Sequence, residues 1–91
     1  MSLAWPTKDP DEILDYELDW SKRLVKDDAI TESVWRVPEG LTTQDTILFS
    51  PFTSVWLTGG TIGETYSIVN TIKTEAGRKW VQTVKLKIQD K

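Results

Sequence analysis

The strongest constraint on the fold is an alternation of apolar and polar residues, with a period of two, in the last third of the chain. In ETYSIVNTIKT (residues 64–74), one side carries tyrosine, isoleucine and asparagine, and the other carries mostly hydroxyl residues. KWVQTVKLKIQ (residues 79–89) alternates in the same way, with lysine and threonine on its polar side. Such alternation is typical of strands with one buried face and one solvated face. The loop EAGR between them has a glycine suited to a left-handed turn, so the sequence predicts a long β-hairpin.

Earlier segments predict four shorter strands. Residues 14–20 (LDYELDW) alternate apolar residues with acids, and residues 30–37 (ITESVWRV) are rich in β-branched residues. The phase of the second segment is ambiguous, which a bulge near Val34 or burial on both faces would explain. Two further strands are predicted at residues 46–50 and 53–58.

Glycine and proline mark the turns between these segments. Gly59, Gly60 and Gly63 predict a tight turn that needs positive φ or a close approach of the backbone. About six or seven short strands without a convincing helix predict an all-β, immunoglobulin-like β-sandwich of about seven strands, with a small barrel as the alternative.

The chain is expected to form one domain preceded by an arm. At 91 residues it is long enough for a single core only. Pro6 and Pro10 restrict the residues before them to extended conformations, so residues 1–13 are predicted to form an extended N-terminal arm. Residues 14–91 are then the sandwich domain.

The amino-acid composition excludes most kinds of catalytic and metal-binding site. The chain contains no cysteine and no histidine, which excludes disulfides, thiolate zinc sites, cysteine nucleophiles and the usual general base. Eleven basic and fourteen acidic residues give a net charge of -3, which disfavours nucleic acid as a partner. We find no membrane-spanning run, secretory signal, phosphate-binding loop or catalytic triad in the sequence. We therefore expect a non-enzymatic protein without a cofactor, metal, membrane contact or small-molecule substrate.

Charge is distributed unevenly along the chain. Residues 1–45 hold eleven acids and five bases, and residues 46–91 hold three acids and six bases. The simplest interpretation is a set of solvated faces. The alternative is an asymmetric particle that stacks head to tail or docks its acidic end on a basic partner.

Two groups of charged residues have competing interpretations. The acids of the first twenty residues lack the spacing of a calcium-binding loop, so a solvated acidic face is favoured over a metal site. They are Asp9, Asp11, Glu12, Asp15 and Asp19. Lys79, Lys85 and Lys87 share one strand face, where lysines usually protect an exposed sheet edge.

Five tryptophans are an unusual number for a chain of 91 residues. Exposed rings would stack on sugars, whereas buried rings would fill the core. Four are expected in the core because of their phase in the predicted strands: Trp20, Trp35, Trp56 and Trp80. Trp5 lies beside Pro6, outside any strand register, and is expected to dock in a pocket of its own domain or of a neighbouring subunit.

Four motifs resemble a family of small tailed-phage and prophage virion proteins of the fibre-tail adaptor type. They are WPTKDPDEILDYELDW (residues 5–20), WRVPEGL (residues 35–41), WLTGGTIGETY (residues 56–66) and AGR (residues 76–78). The resemblance covers nearly the whole chain in the right order. The chain departs from the family at residues 48–52 (LFSPF), which are more hydrophobic.

The resemblance implies an immunoglobulin-like fold and a structural role in the virion, after synthesis in the bacterial host cytoplasm. The function that follows is an adaptor or connector near the tail that contacts tail or fibre proteins, or further copies of itself. The arm is the expected contact site, through Trp5, Pro6, Lys8, Asp9, Pro10, Asp11 and Glu12. Arg78 and the hydrophobic loop at residues 49–52 are possible second contacts. The alternatives are a carbohydrate-binding module for host surface glycans and a capsid decoration domain.

Overall fold

The computed structural model describes residues 3–91 as seven strands in two sheets. The strands are β1 (Leu3–Ala4), β2 (Leu14–Asp19), β3 (Ile30–Arg36), β4 (Leu41–Phe49), β5 (Phe52–Gly59), β6 (Thr65–Thr74) and β7 (Lys79–Lys87). Residues 3–91 contain no helix, and so none of the length and apolarity needed to cross a membrane. The predicted all-β class and the strand number are confirmed.

The two sheets form a sandwich. One sheet has the order β1-β7-β6-β3 and the other has the order β2-β5-β4. Strand β1 runs parallel to β7, and all other neighbouring strands are antiparallel. Strands β3 and β4 are therefore edges, whereas β7 lies between two neighbours.

The β6–β7 hairpin has the predicted alternation. Its pairing runs from Thr65 opposite Lys87 to Lys73 opposite Lys79. On β6 the buried side chains include Tyr66, Ile68, Asn70 and Ile72, the same face that the sequence indicates. In the loop, Gly77 has a φ of +89°, as its left-handed position requires.

The core forms two apolar clusters, one centred on Val55 and Leu57 and the other on Ile72 and Val84. A buried polar network joins the two sheets within this core. Trp20 Nε1 donates to Thr53 Oγ1 at 3.0 Å and to Asn70 Oδ1 at 3.2 Å. Thr53 Oγ1 donates to Asn70 Oδ1 at 2.7 Å. Because buried polar atoms are costly when unpaired, this network fixes the register of one sheet against the other.

Two glycines have neighbours that leave no room for a side chain. Gly40 has a φ of +107°, and a Cβ there would lie 2.8 Å from Tyr66 Oη. Gly60 has a φ of +105°, and its Cβ would lie 2.7 Å from Ile88. The positive φ predicted for residues 59, 60 and 63 is confirmed.

Strand β1 was not predicted as a strand, and two other strands differ from prediction. Strand β4 begins at Leu41, whereas the sequence predicted a start at residue 46. The first half was missed because a bulge between Thr43 and Asp45 breaks the alternation and most of the strand is exposed. In β3 the bulge lies between Ile30 and Glu32, earlier than predicted.

Two side-chain placements also differ. Trp56 faces outward, because Thr53, Val55 and Leu57 occupy the buried face of β5. The lysines of β7 project from its outer face. Lys85 and Lys87 lie where the arm pairs with β7, so these two lysines do not protect a sheet edge.

Candidate protein-contact surface

The N-terminal segment lies along β7 of its own sandwich. Trp5 N donates to Lys85 O at 3.0 Å, and Lys8 N donates to Lys87 O at 3.0 Å. Gln89 N returns a hydrogen bond to Lys8 O at 2.9 Å. In the described part of the predicted arm, residues 3–13, the chain is therefore extended but packed against the domain. Residues 1 and 2 of the predicted arm lie outside the described residues.

Trp5 docks between the two sheets. Its ring stacks on Tyr16, with centroids 4.7 Å apart, and lies 6.0 Å from the ring of Trp35. It packs against both core clusters, although the side chain is only half-buried. Burial, with a smaller contribution from the charge of Glu12, raises the pKa of Tyr16 to about 12. Of the two docking places predicted for Trp5, the structure has the one in its own domain.

Lys8 is a charged residue with no exposed surface. Its Nζ donates to Gly59 O at 2.7 Å and to Asp9 O at 2.9 Å. Burial lowers the pKa of Lys8, and the nearby carboxylates of Glu12 and Asp9 partly offset this effect. Because Gly59 ends β5, the ammonium group ties the arm on β7 to the opposite sheet.

Residues 9–12 form a compact turn, called here the acidic turn. Glu12 N donates to Asp9 O at 3.0 Å, and Asp9 N donates back to Glu12 Oε1 at 2.8 Å. Asp11 N donates to Asp9 Oδ1 at 2.8 Å. Lys91 makes two further contacts with the turn. Its backbone N donates to Asp9 Oδ2 at 2.9 Å, and its Nζ forms a salt bridge with Glu12 Oε1 at 2.9 Å.

The same bonds keep the carboxylates of the turn ionised. Hydrogen bonds from the amides of Asp11 and Lys91 lower the pKa of Asp9. The Asp9 amide and the Lys91 side chain lower the pKa of Glu12. Hydrogen bonding to the charged form favours that form, so both groups are anions at neutral pH.

The predicted contact residues therefore fall into two groups. Pro6 and Asp11 are exposed, and Asp9, Pro10 and Glu12 are partly exposed, so the acidic turn is available to a partner. The side chains of Trp5 and Lys8 are engaged inside the chain. Contact between the arm and another protein stays a prediction.

The carboxylates of the first twenty residues are separated into the acidic turn and the outer face of β2. No group of three or more potential metal-ligating side chains comes together in residues 3–91. Asp15 and Asp19 project outward from β2, away from the acidic turn.

No tryptophan ring in the described chain is exposed. Trp20 is 3% exposed, and the other four are partly buried. The core prediction is confirmed for Trp20, and Trp35 and Trp80 pack against the core. The several exposed tryptophan rings that the carbohydrate-binding alternative requires are therefore not present among residues 3–91.

Sequence reasoning missed the structural role of Asp28. Its Oδ1 accepts hydrogen bonds from Ala29 N at 3.0 Å and Ala76 N at 3.1 Å, and its Oδ2 lies 3.5 Å from Arg78 Nη1. Asp28 thereby holds the β6–β7 loop, including Arg78, which was considered as a second contact. No local signal reveals this, because the partners in the loop, Ala76 and Arg78, lie 48 and 50 residues from Asp28.

Comparison with known proteins gives a fold and a family. The solution structure of the PKD domain from KIAA 1837 protein superposes with a TM-score of 0.60 at 24% identity, covering 99% of this chain and 81% of that chain. At this identity the likeness shows the fold alone, which is immunoglobulin-like. No curated protein sequence gives a significant match. The model of the family described as Podophage GP4 fiber-tail adaptor protein gp77 matches residues 8–87, so the chain belongs to that family.

Proposed function

We propose that this chain is a non-enzymatic adaptor or connector near the phage tail, which joins other virion proteins through its acidic turn. Its family makes it a structural phage protein and a component of the virion that contacts other virion proteins. A chain without cysteine is suited to folding in the reducing cytoplasm of a bacterial host, where we expect its synthesis.

The observation that carries the proposal is the network of hydrogen bonds that holds the acidic turn. Internal hydrogen bonds fix its backbone, Lys8 Nζ donates to the Asp9 carbonyl, and Lys91 Nζ pairs with the Glu12 carboxylate. A rigid surface loses little conformational entropy when it binds, so more of the contact energy remains for affinity. The ionised carboxylates favour a partner that presents basic side chains.

Asp11 is the best residue with which to test this contact. Its side chain is exposed, and the hydrogen bonds of the turn use its amide rather than its carboxylate. Removing the whole arm would be a poor test, because it would also take Trp5 and Lys8 from their places in the sandwich. We therefore choose Asp11→Lys, with Glu75→Lys as an equal change of charge in the exposed β6–β7 loop, at the opposite end of β7 from the arm.

The experiment supplies each variant to phage that lacks the native chain and measures its amount in purified particles. Placing like charges together at a contact costs several kcal/mol, so Asp11→Lys should lower the amount by about tenfold or more. Glu75→Lys should leave it unchanged, and both variants should unfold at the wild-type denaturant concentration. Normal incorporation of Asp11→Lys would refute the acidic turn as the contact.

A further inference from the structure

The two outer faces of the sandwich carry opposite charge. Strands β2, β4 and β5 contain no lysine or arginine, and their four acids are Asp15, Glu17, Asp19 and Asp45. The four-stranded sheet contains five cations, Arg36, Lys73, Lys79, Lys85 and Lys87, with Glu32 as its single acid. These residues are exposed. On β2, β3, β6 and β7 they alternate with buried or partly buried ones, and Asp45 pairs with the outward-facing Trp56, so all of them project outward. We call the outer surfaces the acidic face and the basic face.

Each face also has an exposed apolar element. On the acidic face, Phe49 is 75% exposed and Ile47 is 48% exposed. On the basic face, Val34 is 56% exposed and lies in a shallow hollow of about 270 Å³. The hollow is lined by Glu32, Val34, Arg36, Thr71, Lys73 and Lys79. The hollow combines the apolar Val34 side chain with the cations Arg36, Lys73 and Lys79. Such a hollow is a suitable site for an aromatic ring, because cations are attracted to the face of the ring.

Phe49 and the hollow lie at the same end of the molecule. Ile30 N donates to Ser50 Oγ at 3.2 Å, so the β4–β5 hairpin is beside the start of β3. Lys73 pairs with Glu32 on β3 and with Lys79 on β7 near that same end. A second copy laid on the first in the same orientation would therefore bring Phe49 over the hollow.

We infer that copies of this chain stack face to face, the acidic face of one on the basic face of the next, with Phe49 seated in the hollow. The molecule measures 43 × 26 × 19 Å, so its broad faces provide the roughly 800 Å² per partner of a standard interface. Such a contact joins two different surfaces, so it continues into a ring or a row of subunits. It leaves the acidic turn free, so it is independent of the proposed function.

The first test is self-association of the full chain, measured by sedimentation velocity. Wild-type protein should associate at low salt. Its association constant should fall at least about tenfold as ionic strength rises from about 0.01 to 0.15 M, because screening weakens the attraction between faces. Glu39→Lys/Glu75→Lys, which changes net charge outside the two faces, should associate like the wild type. A wild type that stays monomeric up to about 1 mM at low salt would overturn the inference and leave the faces to a foreign partner.

A charge exchange tests which surfaces meet. Asp15→Lys/Glu17→Lys/Asp19→Lys makes both faces basic, and Lys79→Glu/Lys85→Glu/Lys87→Glu makes both faces acidic. Each variant should be monomeric alone, and an equimolar mixture should associate because every contact again joins opposite charges. Self-association of either variant alone, or a mixture that stays monomeric, would contradict the stacking.

Phe49→Ser distinguishes a defined contact from general attraction between oppositely charged proteins. Added to both variants of the exchange, it should weaken association of the mixture about tenfold or more, because the ring no longer fills the hollow. Equal association with and without the ring would refute the seating of Phe49. Circular dichroism should show the wild-type strand spectrum for every variant, because the substituted side chains are exposed.

Discussion

At the residue scale, the least expected feature is a lysine buried in a small all-β domain. Lys8 occurs in a polar, proline-rich segment, and nothing in its local sequence distinguishes it from a solvated lysine. Its burial depends on carbonyl groups that are brought near it by the fold, one of them 51 residues away. By contrast, the positive φ of Gly60 and Gly77 follows from local turn patterns, which is why the sequence could predict it.

Replacing Lys8 by methionine should destabilise the domain. Methionine fills a similar volume but leaves Gly59 O and Asp9 O without their donor, a loss that typically costs about 1–3 kcal/mol. Lys26→Met removes an exposed lysine, so its effect should stay within about 0.5 kcal/mol. Urea denaturation of the two variants measures this difference. Equal stability of Lys8→Met and the wild type would show that the ammonium group does not hold the arm.

Alanine substitutions at Gly60 and Gly63 can distinguish the cost of a strained backbone from the cost of a steric overlap. Both have positive φ, but a Cβ at Gly63 meets nothing within 4 Å, whereas a Cβ at Gly60 would overlap Ile88. Gly60→Ala should therefore be less stable than Gly63→Ala by about 1–3 kcal/mol, the usual cost of overpacking. Thermal unfolding of the pair gives the difference directly, and equal melting temperatures would contradict the close approach at Ile88.

At the element scale, the strands with a regular alternation of buried and exposed residues were the ones that the sequence predicted correctly. The β6–β7 hairpin has one buried face along its whole length, so its sequence alternates and its strands and loop were predicted. Strand β4 is an edge with eight consecutive exposed residues and a bulge, so its first half has no apolar alternation to detect. The docking of the arm on β7 joins distant parts of the chain, and local pattern analysis does not reveal such pairing.

The β6–β7 loop should make stability depend on pH through Asp28. Burial alone would raise the pKa of Asp28, but hydrogen bonds from Thr74, Ala76 and Ala29, together with Arg78, hold it below its ordinary value of 3.8. Between these two pKa values the unfolded chain binds more protons than the folded one. The contribution of Asp28 to stability is therefore present above pH 3.8 and is lost as pH falls through the folded-state pKa.

Asp28→Asn should consequently flatten the loss of stability in acid. The slope should not vanish, because Asp9, Glu12 and Asp19 also have lowered pKa values. Asp27→Asn is the matched control, since asparagine tolerates the φ of 65° at that position and Asp27 makes none of these loop contacts. Denaturation between neutral pH and pH 3 measures the slope. An unchanged slope in Asp28→Asn would contradict the role of Asp28 in holding the loop.

At the scale of the whole molecule, the sandwich presents three different surfaces: an acidic face, a basic face and the rigid acidic turn. The sequence showed an excess of acids in the first half, but it did not show that the charges separate by sheet face. This separation arises because β4 and β5 join the acidic β2 in one sheet, while β3 joins the basic β6 and β7 in the other. The two proposed contacts, through the turn and through the faces, therefore use different surfaces of the domain.

The proposed contact between the acidic turn and another virion protein can be tested directly in the assembled particle. The most direct measurement is a cryo-electron microscopy reconstruction of the intact particle in which this chain and its neighbours are traced. We predict that residues 9–12 lie near the tail against lysine or arginine side chains of a different virion protein, with the Lys8 contacts unchanged. An acidic turn that faces solvent in the assembled particle would contradict the account.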